Sequence, residues 1–177
     1  MTLEHLRMEF AHSEVRVDAL LEKHDSERLN LPPTPGRWSA LQCIEHVSLA
    51  NELNAGALGI ALRDGPRLPA GDGQIRTGLL WRVLLKGVQP GTRLRGFAPR
   101  VLRPPGRLDP SVTRRRYQDT HATLRELIDR CEGIDFNSIR FPHPAIRLRT
   151  SAGATLWLLA LHESRHLQQA ERAVEGR

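Results

Sequence analysis

Proline and glycine cut this chain into helix-sized pieces, and that punctuation limits the folds open to it. Breaks fall at LNLPPTPGRW (29–38), DGPRLPAGDG (64–73), the Pro-, Gly- and Arg-rich stretch 90–108, and EGIDFNSIRFPHPAIRL (132–148). Between them apolar residues recur at spacings of three, four and seven, one face of a helix. Residues 2–28 carry Leu3, Leu6, Phe10, Val17 and Leu20 in this pattern. A second helix starts near Trp38 or Ser39, with Ser39 as N-cap, and runs to about Arg63. A short helix is expected within RTGLLWRVLLKG. A third follows Asp109-Pro110, cap then first-turn proline, and reaches about Cys131. The last runs from about Ser151 to Val174. No repeat, low-complexity tract or convincing strand set is visible.

These segments predict an all-α four-helix bundle filling residues 1–177 as a single domain. The long links before the third and last helices predict crossover connections rather than simple up-and-down order. No apolar run approaches the roughly 20 residues of a membrane span, and Arg82 interrupts the first candidate. MTLEHLRMEF lacks the apolar core of a secretory signal. Cys43 and Cys131 are too few for a disulfide framework. The expectation is a cytoplasmic protein with reduced thiols and no membrane contact. Net charge is +6 with an isoelectric point near 10.5, which raises nucleic acid as a partner. Yet nearly all the positive charge is arginine, with only Lys23 and Lys86 as lysines, and the basic stretch 93–116 has few aromatics to stack on bases. Nucleic acid is therefore the least favoured partner.

The chemistry sits on the helix faces. On the last helix Thr155, Leu159, His162, His166, Gln169 and Ala173 form the inward stripe, with two histidines one turn apart. On the second helix the stripe is Ser39, Cys43, His46, Ala50, Leu53, Ala57 and Ile60. On the third it is Tyr117, His121, Leu124, Ile128 and Cys131. An inward histidine is commonly just a hydrogen-bonded core residue, and a pair at this spacing can simply be solvated. Several imidazoles buried together without partners cost free energy, which a metal ion removes by taking a lone pair from each neutral ring. His5, His12, His24 and loop His143 read as structural or exposed.

His162-Glu163-Ser164-Arg165-His166 also fits the H-E-x-x-H pattern of zinc proteases, where the glutamate is general base. A third ligand is still needed. The extended pattern requires glycine and histidine where this chain has Gln169 and Arg172, and only eleven residues follow His166. The third ligand must come from upstream, and no strand system is present to hold a peptide. The protease reading is set aside.

GRWSALQCIEHVSLANE (36–52), LHESRHLQQAERAV (161–174) and the FPHP turn (141–144) together resemble the DinB/YfiT-like family. The resemblance spans nearly the whole chain in element order. It implies a four-helix bundle with crossover topology. It also implies one divalent metal held by His46 from the second helix and His162 and His166 from the last, with zinc or nickel the expected ion and iron a further candidate. Family members often carry a glycine shortly after the His-Pro turn, where this chain has Ile146-Arg147-Leu148, so the loop closing that end differs. The resemblance suggests activation of a low-molecular-weight thiol, or of water, against a small-molecule substrate. The Arg-rich loop 93–107 is a candidate to hold an anionic thiol. Glu163 is expected to orient His46 or another imidazole, and Gln42 and Gln169 to bond ligand rings. His121 is expected to line the pocket. Trp38 reads as a helix-start anchor, and Tyr117 and Trp157 as ordinary packing. A metal-binding stress or interaction protein without catalysis is the alternative. A homodimer through an apolar helix face is compatible with such a bundle.

Overall fold

The computed structural model describes residues 1–69, 71–92, 98–146 and 148–176. Helix α1 spans Leu3–Lys23, with the Thr2 side chain capping His5 N. It stops short of the expected residue 28. The Asp25 carboxylate accepts from Arg28 N and opens a separate short helix, α2, at Ser26–Asn30. An aspartate that can bond the backbone two or three residues on competes with helix continuation. Helix α3 covers Ala40–Asp64 and starts on a capping box: Ser39 accepts from Gln42 N while the Gln42 side chain accepts from Ser39 N. Helix α4 is Leu79–Val88, and a single 3-10 turn occupies Arg100–Leu102. Helix α5, Pro110–Asp129, begins with the Asp109 cap and a first-turn proline as expected. Helix α6, Ala152–Glu175, is capped by Ser151 and ends at Gly176, whose φ of 77° suits a residue without Cβ.

One element escaped the sequence reading. Strands β1 (Arg140–Pro142) and β2 (Arg149–Ser151) pair antiparallel, Phe141 opposite Thr150, directly before α6. Three residues per strand are too few for alternation to be seen in sequence.

The four long helices form the bundle of an all-α fold. Helix α3 packs against α5 and α6, and α1 packs against the same two. Hence α1 and α3 stand on one diagonal, α5 and α6 on the other. Chain order crosses a diagonal twice, at α1 to α3 and at α5 to α6; the second crossing is expected, whereas the long link before α5 joins the adjacent helices α3 and α5 and the first crossing is made by the shorter link before α3. Helices α3 and α6 run antiparallel: Leu41 and Ile44 share an apolar cluster with Leu167 and Ala170, while Leu58 and Leu62 share the other with Ala152 and Leu156. Each fully buried leucine or isoleucine contributes about 1.5–3 kcal/mol. The far end of the expected α3 stripe fails, because Ile60 is 55% exposed; Leu58 and Leu62 face inward instead.

The two clusters leave a gap on all four helices. Glu14 on α1, Asn51 on α3, His121 on α5 and Glu163 on α6 lie between them in sequence, as do His162 and His166, with His46 at the edge of the second cluster. The bundle therefore carries a polar layer across its middle. Outside, several arginines tie helices together. Arg7 meets Asp129 and Glu132, Arg16 meets Glu171, Arg114 meets Asp18 and Glu22, and Arg116 meets Glu45 and Glu52. No described helix is long and apolar enough to cross a membrane.

Candidate metal centre

His46 sits two turns into α3, and His162 and His166 one turn apart on the antiparallel α6, so packing of these two helices brings the three rings together. Ring centroids lie 5.0 Å apart for His46–His162, 4.5 Å for His46–His166 and 4.4 Å for His162–His166. One nitrogen from each ring falls within 4.8 Å of the others. It is the one such grouping of potential ligands among the described residues.

The tautomer of His46 is determined by its neighbour. His46 Nδ1 lies 2.7 Å from the Leu102 carbonyl, which can only accept, so Nδ1 carries the hydrogen and Nε2 presents a lone pair. Nε2 in turn stands 3.2 Å from His162 Nε2. A tetrahedral ion bonded at ~2.0–2.1 Å separates its ligand atoms by about 3.3 Å. The spacing of these two nitrogens matches that figure. His162 Nδ1 and His166 Nδ1 are enclosed with no protein partner. Burial pushes the rings toward neutrality: His46 lies below its ordinary pKa despite the Leu102 bond, His162 falls to about 3, and His166 lies well below its usual value. The mutual repulsion of the rings and the Arg165 charge act in the same direction on the two α6 rings. Three neutral imidazoles converging in a half-buried space are a donor set suited to zinc, nickel or iron.

Several other residues differ from their expected roles. Trp38 is more than an anchor: its ring lies 4.7 Å from His46 and 5.9 Å from His166, so it walls the site. Gln42 bonds Ser39 N and the Pro105 carbonyl, not a ligand ring. Gln169 does lie against His166, where its amide bond opposes the lowering of that ring's pKa. Glu163, adjacent to a candidate ligand, has its observed bonds elsewhere. It is fully buried and accepts from Tyr117 Oη at 2.5 Å and Asn51 Nδ2 at 3.3 Å, and pairs with His121 Nε2 at 2.9 Å. The imidazole it orients is therefore His121. Residues 162 and 163 differ by about 100° around the helix, so neighbours in sequence face different partners. His121 is fully buried. Its ring is enclosed between Glu163 and Glu14, whose Oε1 is 3.0 Å from His121 Nδ1. Tyr117 belongs to this network as well as to the packing, and Trp157 packs on the apolar cluster as expected.

His143, expected to be structural or exposed, is buried at 3% exposure. It follows β1 and packs on Trp81 at 5.7 Å, and burial pushes its pKa down to about 4. No spacing rule marks a loop histidine for burial; the hairpin carries it inward. His5 and His12 lie on the surface as expected. Cys43 and Cys131 are free and buried, which raises each thiol to about 12. Of the Arg-rich loop, residues 93–97 lie outside the described residues, as does Arg147 after the His-Pro turn. Arg100, Arg103 and Arg107 are exposed, with Arg103 Nε donating to the Ala98 carbonyl. Sequence reasoning missed the Leu102 carbonyl altogether, since a loop carbonyl leaves no residue-type signal.

The profile of the DinB superfamily matches residues 9–170. No curated protein and no solved structure matches the chain.

Proposed function

This chain belongs to the DinB superfamily, and from that membership and its three-histidine cluster we propose that it is a metal-dependent enzyme that activates a low-molecular-weight thiol, or water, for transfer to or hydrolysis of a small-molecule substrate. His46, His162 and His166 would hold the divalent ion, zinc or nickel in the first instance. When bound with open positions, such an ion supplies Lewis acidity that lowers the pKa of water or a thiol. The chain's own residues do the rest. Leu102 holds the His46 ring by its Nδ1 hydrogen, so Nε2 cannot turn away. Trp38 covers one side of the rings and keeps bulk water from it. Arg165 donates to the Gly87 carbonyl at 2.7 Å and so ties α4 beside α6 near the two histidines.

The observation that carries this reading is the convergence of three imidazole nitrogens within 4.8 Å, from helices far apart in sequence. Elemental analysis of the purified protein tests it. Wild type is expected to hold about one divalent ion per chain and His46→Ala to lose it, as a three-ligand site requires. Full metal content in that variant would mean the wrong third ligand. Metal-replete protein is then incubated with low-molecular-weight thiols and a small electrophile. Metal-dependent thiol consumption or hydrolysis supports an enzyme. Metal content with neither favours the non-catalytic alternative.

A further inference from the structure

We propose that His143 is a positioning residue of this site, donating its Nε2 hydrogen to a small anionic ligand, such as a thiolate or carboxylate, held at the open coordination position. The inference rests on the three-histidine reading above.

His143 is buried, yet it does not belong to the ligand cluster: none of its nitrogens is among the atoms lying within 4.8 Å of one another. Its protonation pattern also disqualifies it as a fourth ligand. Nδ1 accepts from Ala145 N at 3.2 Å, so the single hydrogen of the neutral ring is on Nε2, which has no free lone pair. That Nε2–H is enclosed and bonds nothing in the protein. Buried donors are rarely left so unless a ligand, ion or water completes them.

The surroundings hold the ring in place. His143 N donates to the Leu148 carbonyl at 2.8 Å, closing the turn between β1 and β2. Trp81 packs on the ring and donates from Nε1 to the Arg149 carbonyl at 2.7 Å, joining α4 to the hairpin. Strand β2 runs straight into Ser151, the cap of α6, so the hairpin and the helix bearing His162 are one continuous piece of backbone. Helix α4, which carries Trp81, packs along α6, and Arg165 of α6 donates to its Gly87 carbonyl, so His143 is held against the helix that bears two of the candidate ligands. Burial keeps His143 neutral at pH 7, the state in which Nδ1 accepts and Nε2 donates. A buried donor held against the ligand-bearing helix, but unable to bind an ion itself, fits recognition of a negatively charged group on an ion bound there.

The experiment uses full-length protein loaded with cobalt(II), whose visible spectrum reports azide binding. Wild type, His143→Phe and His143→Gln are compared for cobalt content and azide Kd. All three are expected to hold equal cobalt. His143→Phe should weaken azide by about tenfold, the loss of one charge-assisted hydrogen bond, and His143→Gln, whose amide still donates, should recover most of it. His143→Leu, smaller than phenylalanine, supplies the same comparison if the larger ring prevents folding. Equal azide affinity in wild type and the apolar variant overturns the proposal, as does loss of cobalt from a folded variant, which would make His143 a ligand. A wild type that binds no cobalt removes the three-histidine reading and this inference together. A cobalt-replete set with unchanged azide affinity removes this inference alone.

Discussion

The Tyr117 hydroxyl donates to the Glu163 carboxylate at 2.5 Å, between two apolar clusters and one residue away from a candidate ligand. Asn51 and His121 supply the other bonds to that carboxylate. Tyr117→Phe removes the strongest neutral donor to a fully buried acid. It is expected to cost about 2 kcal/mol, the range for hydrogen bonds to charged groups. Glu163→Ala should cost more, because it strands Tyr117, Asn51 and His121 together. Urea denaturation midpoints measure both. Metal content should be unchanged in Tyr117→Phe, since this network has no observed bond to the three rings. Loss of metal without loss of stability would show that Glu163 acts on the ligands after all.

The metal-free protein should weaken in acid. His46, His162 and His166 all lie below their unfolded value of about 6.5. The unfolded chain therefore takes up protons first as pH falls. Stability is complete above about pH 7 and drains away below 6.5, down toward the folded pKa of His162 at about 3. Each ring held neutral costs about 1.4 kcal/mol per pH unit within that window. Urea midpoints in the presence of chelator should drop clearly between pH 7.5 and pH 5. Identical midpoints would mean that the rings titrate freely and are not enclosed.

The helical scaffold and the inward placing of His46, His162 and His166 were legible from spacing, which set His121 on an inward line as well; the choice of the trio came from the family resemblance. His162 and His166 share a face at four residues' separation, and Ser39 marks where α3 begins, which places His46 on an inward line. What spacing cannot carry was missed. The Leu102 carbonyl comes from a 3-10 turn 56 residues beyond His46, and any residue type could offer it. Trp38 precedes its helix, so helical periodicity says nothing of where its ring goes. The β1–β2 hairpin that buries His143 includes Pro142 and only three residues per strand. Ile60 shows the converse failure: a stripe drawn over six turns drifts around the helix, and its last member ends in solvent.

Gly153, in the first turn of α6, should not accept a side chain. A Cβ there would lie 2.8 Å from Phe136 Cδ2 and 3.1 Å from Cε2. Alanine normally gains about 1 kcal/mol over glycine inside a helix. Here Phe136 is 3% exposed, within the apolar cluster, and has little space to retreat into. Overpacking of this kind costs about 1–3 kcal/mol, so the net effect of Gly153→Ala is a loss. A thermal melt of the variant should shift downward; an upward shift would show that the ring yields.

Trp38 offers a direct optical report on the site. Its ring stands 4.7 Å from His46 and 5.9 Å from His166, whereas Trp81 packs on His143 and Trp157 packs on the apolar cluster. A paramagnetic ion such as nickel(II) or copper(II) captured by the three rings would sit closest to Trp38 and quench its emission most. Titrating the metal-free protein should remove a saturable fraction of tryptophan fluorescence at about one equivalent, the stoichiometry of a single three-ligand site. Trp38→Phe should lose most of that response while still binding the ion by elemental analysis. The substitution also thins the wall beside His46, so metal affinity should fall by up to about tenfold, as changes around ligands commonly do. Equal quenching in wild type and Trp38→Phe would place the ion away from these histidines.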